Sequence, residues 1–171
     1  MSKQFYMACL DVEGRRCVVV GDGAMADEKV AGLGACGAVV QRISPAKYRR
    51  RVLRGAFLVI AATSDRALNE RIYRDAERRA MLCNVADVPE LCNFILPAVH
   101  REGSIAVAVS TGGASPALAK KLRERIAEIV GPEHARLAEE LRSLRPWAKE
   151  RFQSYEERKD FFEEIVRERL S

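Results

Sequence analysis

The feature that most constrains this chain is an apolar run that ends on a glycine loop. Arg16-Cys17-Val18-Val19-Val20 has the composition of a buried strand, and it runs straight into Gly21-Asp22-Gly23-Ala24-Met25-Ala26. The pattern is G-x-G-x-x-A at the start of a helix, expected from about Ala24 to Ala35 with Ala26, Val30 and Leu33 on one face. In that setting Gly21 makes the tight turn, Gly23 lets a pyrophosphate approach the backbone, and Ala26 lets the helix pack closely on the sheet. The N–H groups of the first helical turn then face the phosphates. The motif predicts a dinucleotide site; the bland alternative is a glycine-rich turn. The acid that commonly meets the ribose about 20 residues further on is missing. Val40-Gln41-Arg42-Ile43-Ser44-Pro45 stands there instead. Arg42 either meets a 2′-phosphate or points into solvent.

Short apolar runs and helical periodicity continue to alternate, which predicts an α/β fold with a Rossmann-like parallel sheet. Gly37-Ala38-Val39-Val40 starts a second strand, Phe57–Ala62 is a third and Leu82–Val85 a fourth. A helix from Asp65 to Arg79 carries Leu68, Ile72 and Ala76 inward. After that the alternation stops. Asn93–Ala98 and Ser104–Val109 read as a strand pair around the polar turn His100–Gly103. Such a pair is too small to fold alone and seeks partners, so a homodimer is expected. Ser115 caps the next helix, Pro116 takes its first position and Gly131 is expected to close it. Leu118, Leu122, Ile126 and Ile129 repeat on one face of that helix. The remainder is charged and helical, with the stripe Leu137, Leu141, Leu144 separated by Pro146 from Phe161, Phe162, Ile165 and Val166. The expected organisation is a nucleotide-binding domain over 1–92, a β-plus-helix dimerisation unit over 93–130 and a helical region over 131–171.

Composition narrows the function classes. The 171 residues suit one domain or two small subdomains, and a 48% hydrophobic fraction is too high for a disordered chain. Twenty-nine basic against 24 acidic residues leave a net charge of +5, mixed along helical faces rather than gathered in one stripe. Nucleic-acid binding is therefore not expected. No apolar run approaches the length of a membrane span, and Met1–Leu10 lacks the layout of a signal peptide, so a cytoplasmic protein is expected. The five cysteines form no CxxC pair and lie near neither histidine, which argues against a zinc site or a disulfide framework. His100 and His134 read as surface or packing residues.

Four segments together resemble one family. They are Gly21–Val30; Gly55–Asp65 with Leu68-Asn69; Cys83–Asp87 with Phe94–Ala98; and Ser110–Ala119. In this order they are similar to precorrin-2 dehydrogenase, often also sirohydrochlorin ferrochelatase, of the siroheme pathway, over about Leu10 to Leu141. The resemblance implies NAD-dependent oxidation of precorrin-2 to sirohydrochlorin, ferrous iron insertion in many members, and a homodimer built through the unit after the nucleotide-binding domain. It carries the nucleotide contacts to Ala24 and Met25, with Ser44 and Pro45 at the end of the second strand, and a catalytic aspartate to Asp87. Some members continue into a methyltransferase domain, for which this chain is too short. The chain also departs from the pattern. Asp22 replaces a glycine and Glu28 a basic residue, both adding negative charge near a pyrophosphate. Ser44–Tyr48 passes directly toward Phe57, where the family has a further stretch with another strand. Either a strand is lost, leaving the sheet one short, or the sheet is rewired.

The expected cofactor contacts are thus Gly21, Asp22, Gly23, Ala24, Met25, Ser44, Pro45, Ala62 and Thr63. Asp87 follows a strand, where active-site loops of a parallel sheet gather, and a carboxylate there can accept a proton. Thr111, Gly112, Gly113 and Ser115 lead into a helix start that suits an anion. Arg101 and Lys120, with Lys121 and Arg123 nearby, suit the carboxylates of a tetrapyrrole. The competing readings are a dehydrogenase that never inserts metal and a non-enzymatic NAD-responsive regulatory module.

Overall fold

The computed structural model describes residues 5–170, so the first four residues of the Met1–Leu10 start lie outside it. The chain divides into two compact units, the first ending at Leu96 and the second beginning at Pro97.

The first unit is a parallel sheet with cover on both faces. β1 (Arg16–Val20) leads into α1 (Ala24–Gly34), followed by β2 (Val39–Ile43), β3 (Leu58–Ala61), α2 (Arg66–Glu77) and β4 (Leu82–Val85). The strand order is β2-β1-β3-β4 and every pairing is parallel. β1 and β3 are buried on both faces, which is why each reads as an unbroken apolar run. Their side chains alternate between two cores. Cys17, Val19, Leu58 and Ile60 face α1 through Ala26, Val30 and Leu33. Val18, Val20, Val59 and Ala61 face Ile72 and Ala76 of α2. β2 is a half-exposed edge. Burial, with smaller effects of Cys92 and Glu77, pushes the Cys83 thiol up to about 12, so it is a neutral packing group.

Residues 44–57 settle the alternative left open by the sequence. They hold no strand. Two 3-10 turns, Pro45–Lys47 and Arg50–Leu53, carry the chain back across the sheet. Tyr48 and Leu53 from this segment are buried in the same core as α2, and the Tyr48 hydroxyl donates to Asp75 Oδ2 at 3.1 Å. β2 remains beside β1, so a strand is missing and the sheet is not rewired.

The second unit contains β5 (Ala98–Glu102), β6 (Ile105–Val109), α3 (Pro116–Ile129), α4 (Pro132–Arg151) and α5 (Tyr155–Arg169). β5 and β6 form an antiparallel hairpin, pairing Ala98 with Val109 and Glu102 with Ile105. Four expectations are corrected here. The first strand of the pair is Ala98–Glu102 rather than Asn93–Ala98, because Asn93 and Phe94 are bonded back onto β4. The turn is Gly103-Ser104, with Gly103 at φ 56°, a left-handed conformation suited to a two-residue hairpin. A Cβ on Gly103 would also lie 2.8 Å from that of Ala135 in α4. Gly131 does not close α3. Val130 caps it, and Gly131, with φ −111°, starts α4 ahead of Pro132. Pro146 does not separate the helices either. α4 runs through it to Arg151, and the break falls at Phe152–Ser154, where Ser154 and Glu157 form a capping box for α5. Trp147 packs against Phe152 and Phe161 at 5.9 and 5.5 Å and holds the last turns of α4 in place.

A candidate dinucleotide site at the carboxyl edge of the sheet

The parallel register brings the strand ends to one edge. Val20 is level with Ile43 and Ala61, and Ala61 with Val85. The chain continues that ladder one residue further. Gly21 N–H donates to Ile43 O at 3.0 Å, Ala62 N–H to Val20 O at 2.8 Å and Ala86 N–H to Ala61 O at 2.9 Å. The glycine loop, Ser44-Pro45, Ala62-Thr63 and Ala86-Asp87 therefore leave the sheet side by side.

The two loop glycines differ in what they need. At Gly21 (φ 156°) a Cβ would lie 2.3 Å from Ala62 O and 3.0 Å from the Ala26 Cβ, so helix, strand and loop meet where only hydrogen fits. Ala26 is fully buried, as close helix-to-sheet packing requires. At Gly23 a Cβ would meet no protein atom within 4 Å, and the backbone (φ −95°) is ordinary. The space beside Gly23 is open to a ligand. No side chain caps α1 at Gly23, and the first intrahelical bonds run from Ala26 and Asp27 to Gly23 O. The amides of Ala24 and Met25 precede those bonds and face outward from the helix start, an arrangement that fits a pyrophosphate. Met25 is 40% exposed.

The end of β2 is tied to this loop. Ser44 Oγ donates to Asp22 Oδ2 at 2.9 Å. Arg42 turns neither to solvent alone nor away from the site: its Nε donates to Gly21 O at 2.9 Å and its guanidinium pairs with Asp27. Thr63 Oγ1 donates to Asn69 Oδ1 at 2.8 Å, while Asn69 Nδ2 donates back to Thr63 O at 2.9 Å. Asn69 is, with Asp75 and Asn84, a buried polar residue among the described residues. It belongs to the second family-like segment, but its task of fixing the turn after β3 could not be read from spacing.

Asp87 is exposed in the turn after β4, and its backbone is left-handed at φ 60°. Non-glycine residues adopt that conformation seldom, and Asp more readily than most. A network unforeseen from the sequence holds the turn. Val85 N–H donates to Cys92 Sγ at 3.2 Å, and that sulfur lies 3.3 Å from both Val85 O and Val88 O. Asn84 Nδ2 donates to Phe94 O at 3.1 Å, and Asn93 Oδ1 accepts from Cys83 N–H at 2.7 Å. The spacing of Asn84, Cys92 and Asn93 around Asp87 was the available signal.

Within the second unit, Thr111, Gly112, Gly113 and Ser115 form one turn. Gly112 and Gly113 are left-handed at φ 63° and 89°. Thr111 Oγ1 accepts from Ser115 N–H at 3.0 Å, and Ser115 Oγ accepts from Leu118 N–H at 3.2 Å as the helix cap. Lys120 is exposed on the first turns of α3. Arg101 is not beside this turn: it pairs with Ala106 near the hairpin tip, whereas the turn follows Val109 at the other end of β6. His100 Nε2 lies 2.8 Å from Val130 O, and His134 Nδ1 accepts from Gly131 N–H at 3.3 Å. Both histidines tie helix ends.

The family described as NAD(P)-binding matches residues 8–98. The chain belongs to that family. A second family, described as sirohaem biosynthesis protein central, matches residues 102–129. The siroheme synthase of Nitrosococcus oceani is 35% identical across 95% of this chain, and that of Nitrosospira multiformis 37% across 92%. The chain spans 39% and 38% of the length of those two proteins. The first alignment extends over 182 positions, more than the 171 of this chain, so the relative has residues with no counterpart here. A solved structure, SirC, a precorrin-2 dehydrogenase, superposes with a TM-score of 0.78 at 26% identity, covering 98% of this chain and 93% of that one.

Proposed function

We propose that this NAD(P)-binding chain oxidises precorrin-2 to sirohydrochlorin with NAD, in siroheme biosynthesis. The observation that carries the reading is the gathering of the G-x-G-x-x-A loop and the left-handed Asp87 at one sheet edge. The arrangement of the SirC precorrin-2 dehydrogenase, similar over nearly the whole chain, supports it. Gly23, Ala24 and Met25 bind the pyrophosphate, while Ser44, Pro45, Ala62 and Thr63 border the nucleoside end. NAD, when bound, supplies the hydride acceptor. Asp87 takes the proton that the substrate loses in the same oxidation, a role that needs hydrogen-bond reach to the reacting carbon's proton. The Thr111–Ser115 turn and Lys120 bind acetate or propionate groups, with Arg101 as a more distant contact.

The same carboxylate serves the further step of ferrous iron insertion by removing pyrrole N–H protons. The functional division is nucleotide binding over 1–92, dimerisation over 93–130 and a helical region over 131–171. Leu118, Leu122 and Ile129 are 52%, 37% and 68% exposed on α3, which supports an isologous homodimer through this unit. A cytoplasmic location suits this pathway, and among the described residues no helix is long and apolar enough to cross a membrane.

Anaerobic incubation of the purified chain with precorrin-2 and NAD tests the function. Appearance of sirohydrochlorin absorbance with equimolar NADH is the expected result. NAD binding without turnover would instead support the regulatory-module reading. Adding ferrous iron to preformed sirohydrochlorin, without NAD, tests metal insertion separately.

A further inference from the structure

The absence of an acid after β2 leaves open what meets the adenosine ribose. From Lys29 to Ser64 the sequence contains no Asp or Glu at all. The fold nevertheless sets a carboxylate at the end of β2, and it comes from the glycine loop. Ser44 is the first residue beyond β2, and it heads the 3-10 turn Pro45–Lys47 without capping it. Its hydroxyl reaches back across 22 residues to Asp22 Oδ2 at 2.9 Å. Arg42, the group that could have welcomed a 2′-phosphate, is engaged with Gly21 O and with the Asp27 carboxylate.

We infer that Asp22 is the ribose-binding acid of this chain and makes it selective for NAD over NADP. A carboxylate has about four acceptor sites. Ser44 occupies one, which leaves acceptors for the ribose hydroxyls. A 2′-phosphate at the same place would meet a like charge, with Arg42 already neutralised by Asp27. The aspartate that replaces a small loop residue thus does the work usually assigned to an acid about 20 residues downstream. This inference rests on the dinucleotide reading above.

Titration calorimetry of the full chain with NAD and with NADP tests it. The wild type should bind NAD at least roughly tenfold tighter than NADP, and Asp22→Asn should shift the ratio of the two affinities by about 10–100-fold toward NADP, the scale of a charged hydrogen bond. Ser44→Ala keeps the charge but frees the carboxylate. It should weaken NAD binding by a few-fold and keep the discrimination. Asp22 is exposed, and unchanged circular dichroism of both variants would show that folding is intact. A ratio within about twofold of wild type in Asp22→Asn would overturn the assignment while leaving the dinucleotide site standing. Equal wild-type affinities, with NADP binding lost in Arg42→Ala, would overturn it in favour of Arg42. Binding of neither dinucleotide would overturn both this assignment and the function proposed above.

Discussion

The two glycines of the loop have opposite physical roles, and substitution separates them. Alanine at Gly21 sets its Cβ 2.3 Å from the Ala62 carbonyl, a contact only a backbone shift can relieve. Gly21→Ala should therefore cost about 1–3 kcal/mol of stability in denaturant titration, the scale of overpacking. At Gly23 the protein offers no obstruction, so Gly23→Val should fold with a change of no more than about 1 kcal/mol. Its branched side chain instead fills the space of the phosphates, and calorimetry should show NAD affinity down by roughly tenfold or more. Equal NAD affinity in wild type and Gly23→Val would remove the phosphate from this loop. Asp87 allows a similar separation. Asparagine tolerates the left-handed backbone and keeps a hydrogen-bonding side chain but cannot take up a proton. Asp87→Asn should leave NAD binding intact and lower dehydrogenase turnover by about 10²–10⁴-fold, the range of a general base. Asp87→Gly, free of the φ 60° restriction, should be as inactive without loss of stability. Turnover of Asp87→Asn within about threefold of wild type would leave Asp87 a turn residue.

At the scale of elements, regular strands and helices of the first unit were legible because each obeys one period. β1 and β3 are apolar runs buried in a parallel sheet, β4 is a third with one polar residue, Asn84, inside it, and α2 is capped by Asp65, whose side chain accepts from Leu68 N–H at 3.0 Å. The misreadings share a different cause: long-range bonding or packing overrode a local signal. Asn93 and Phe94 look like strand, yet their polar groups are spent on β4. Pro146 looks like a helix boundary, yet α4 continues through it because Trp147, next in sequence, is anchored by two phenylalanines. Proline at that position lacks the N–H for Arg142 O, so Pro146→Ala should raise stability by about 1–3 kcal/mol. Trp147 is the sole tryptophan, and thermal unfolding followed by its fluorescence reads the change locally. A lowered midpoint would mean that the proline relieves a strain that the helix geometry does not reveal.

At the scale of the whole molecule, the apolar face of α3 makes the proposed dimer testable. Leu122 lies between Leu118 and Ile129 on that face and is partly exposed. Leu122→Asp would bury a charge in an isologous contact twice over, so light scattering should report twice the monomer mass for the wild type and a monomer for the variant. A monomeric wild type at micromolar concentration would dismiss the interface. By itself the sequence determined the α/β class, the glycine loop opening a helix, the cap of α3 and the family, because these depend on residues adjacent in the chain. Tertiary structure decided whether the short segment after β2 loses a strand or rewires the sheet. It also decided which groups share the carboxyl edge. Asp22 and Ser44, far apart in sequence, meet there only because parallel strands in register deliver their ends to one level. No spacing rule encodes that meeting, since the crossover between two parallel strands can have any length that spans the sheet.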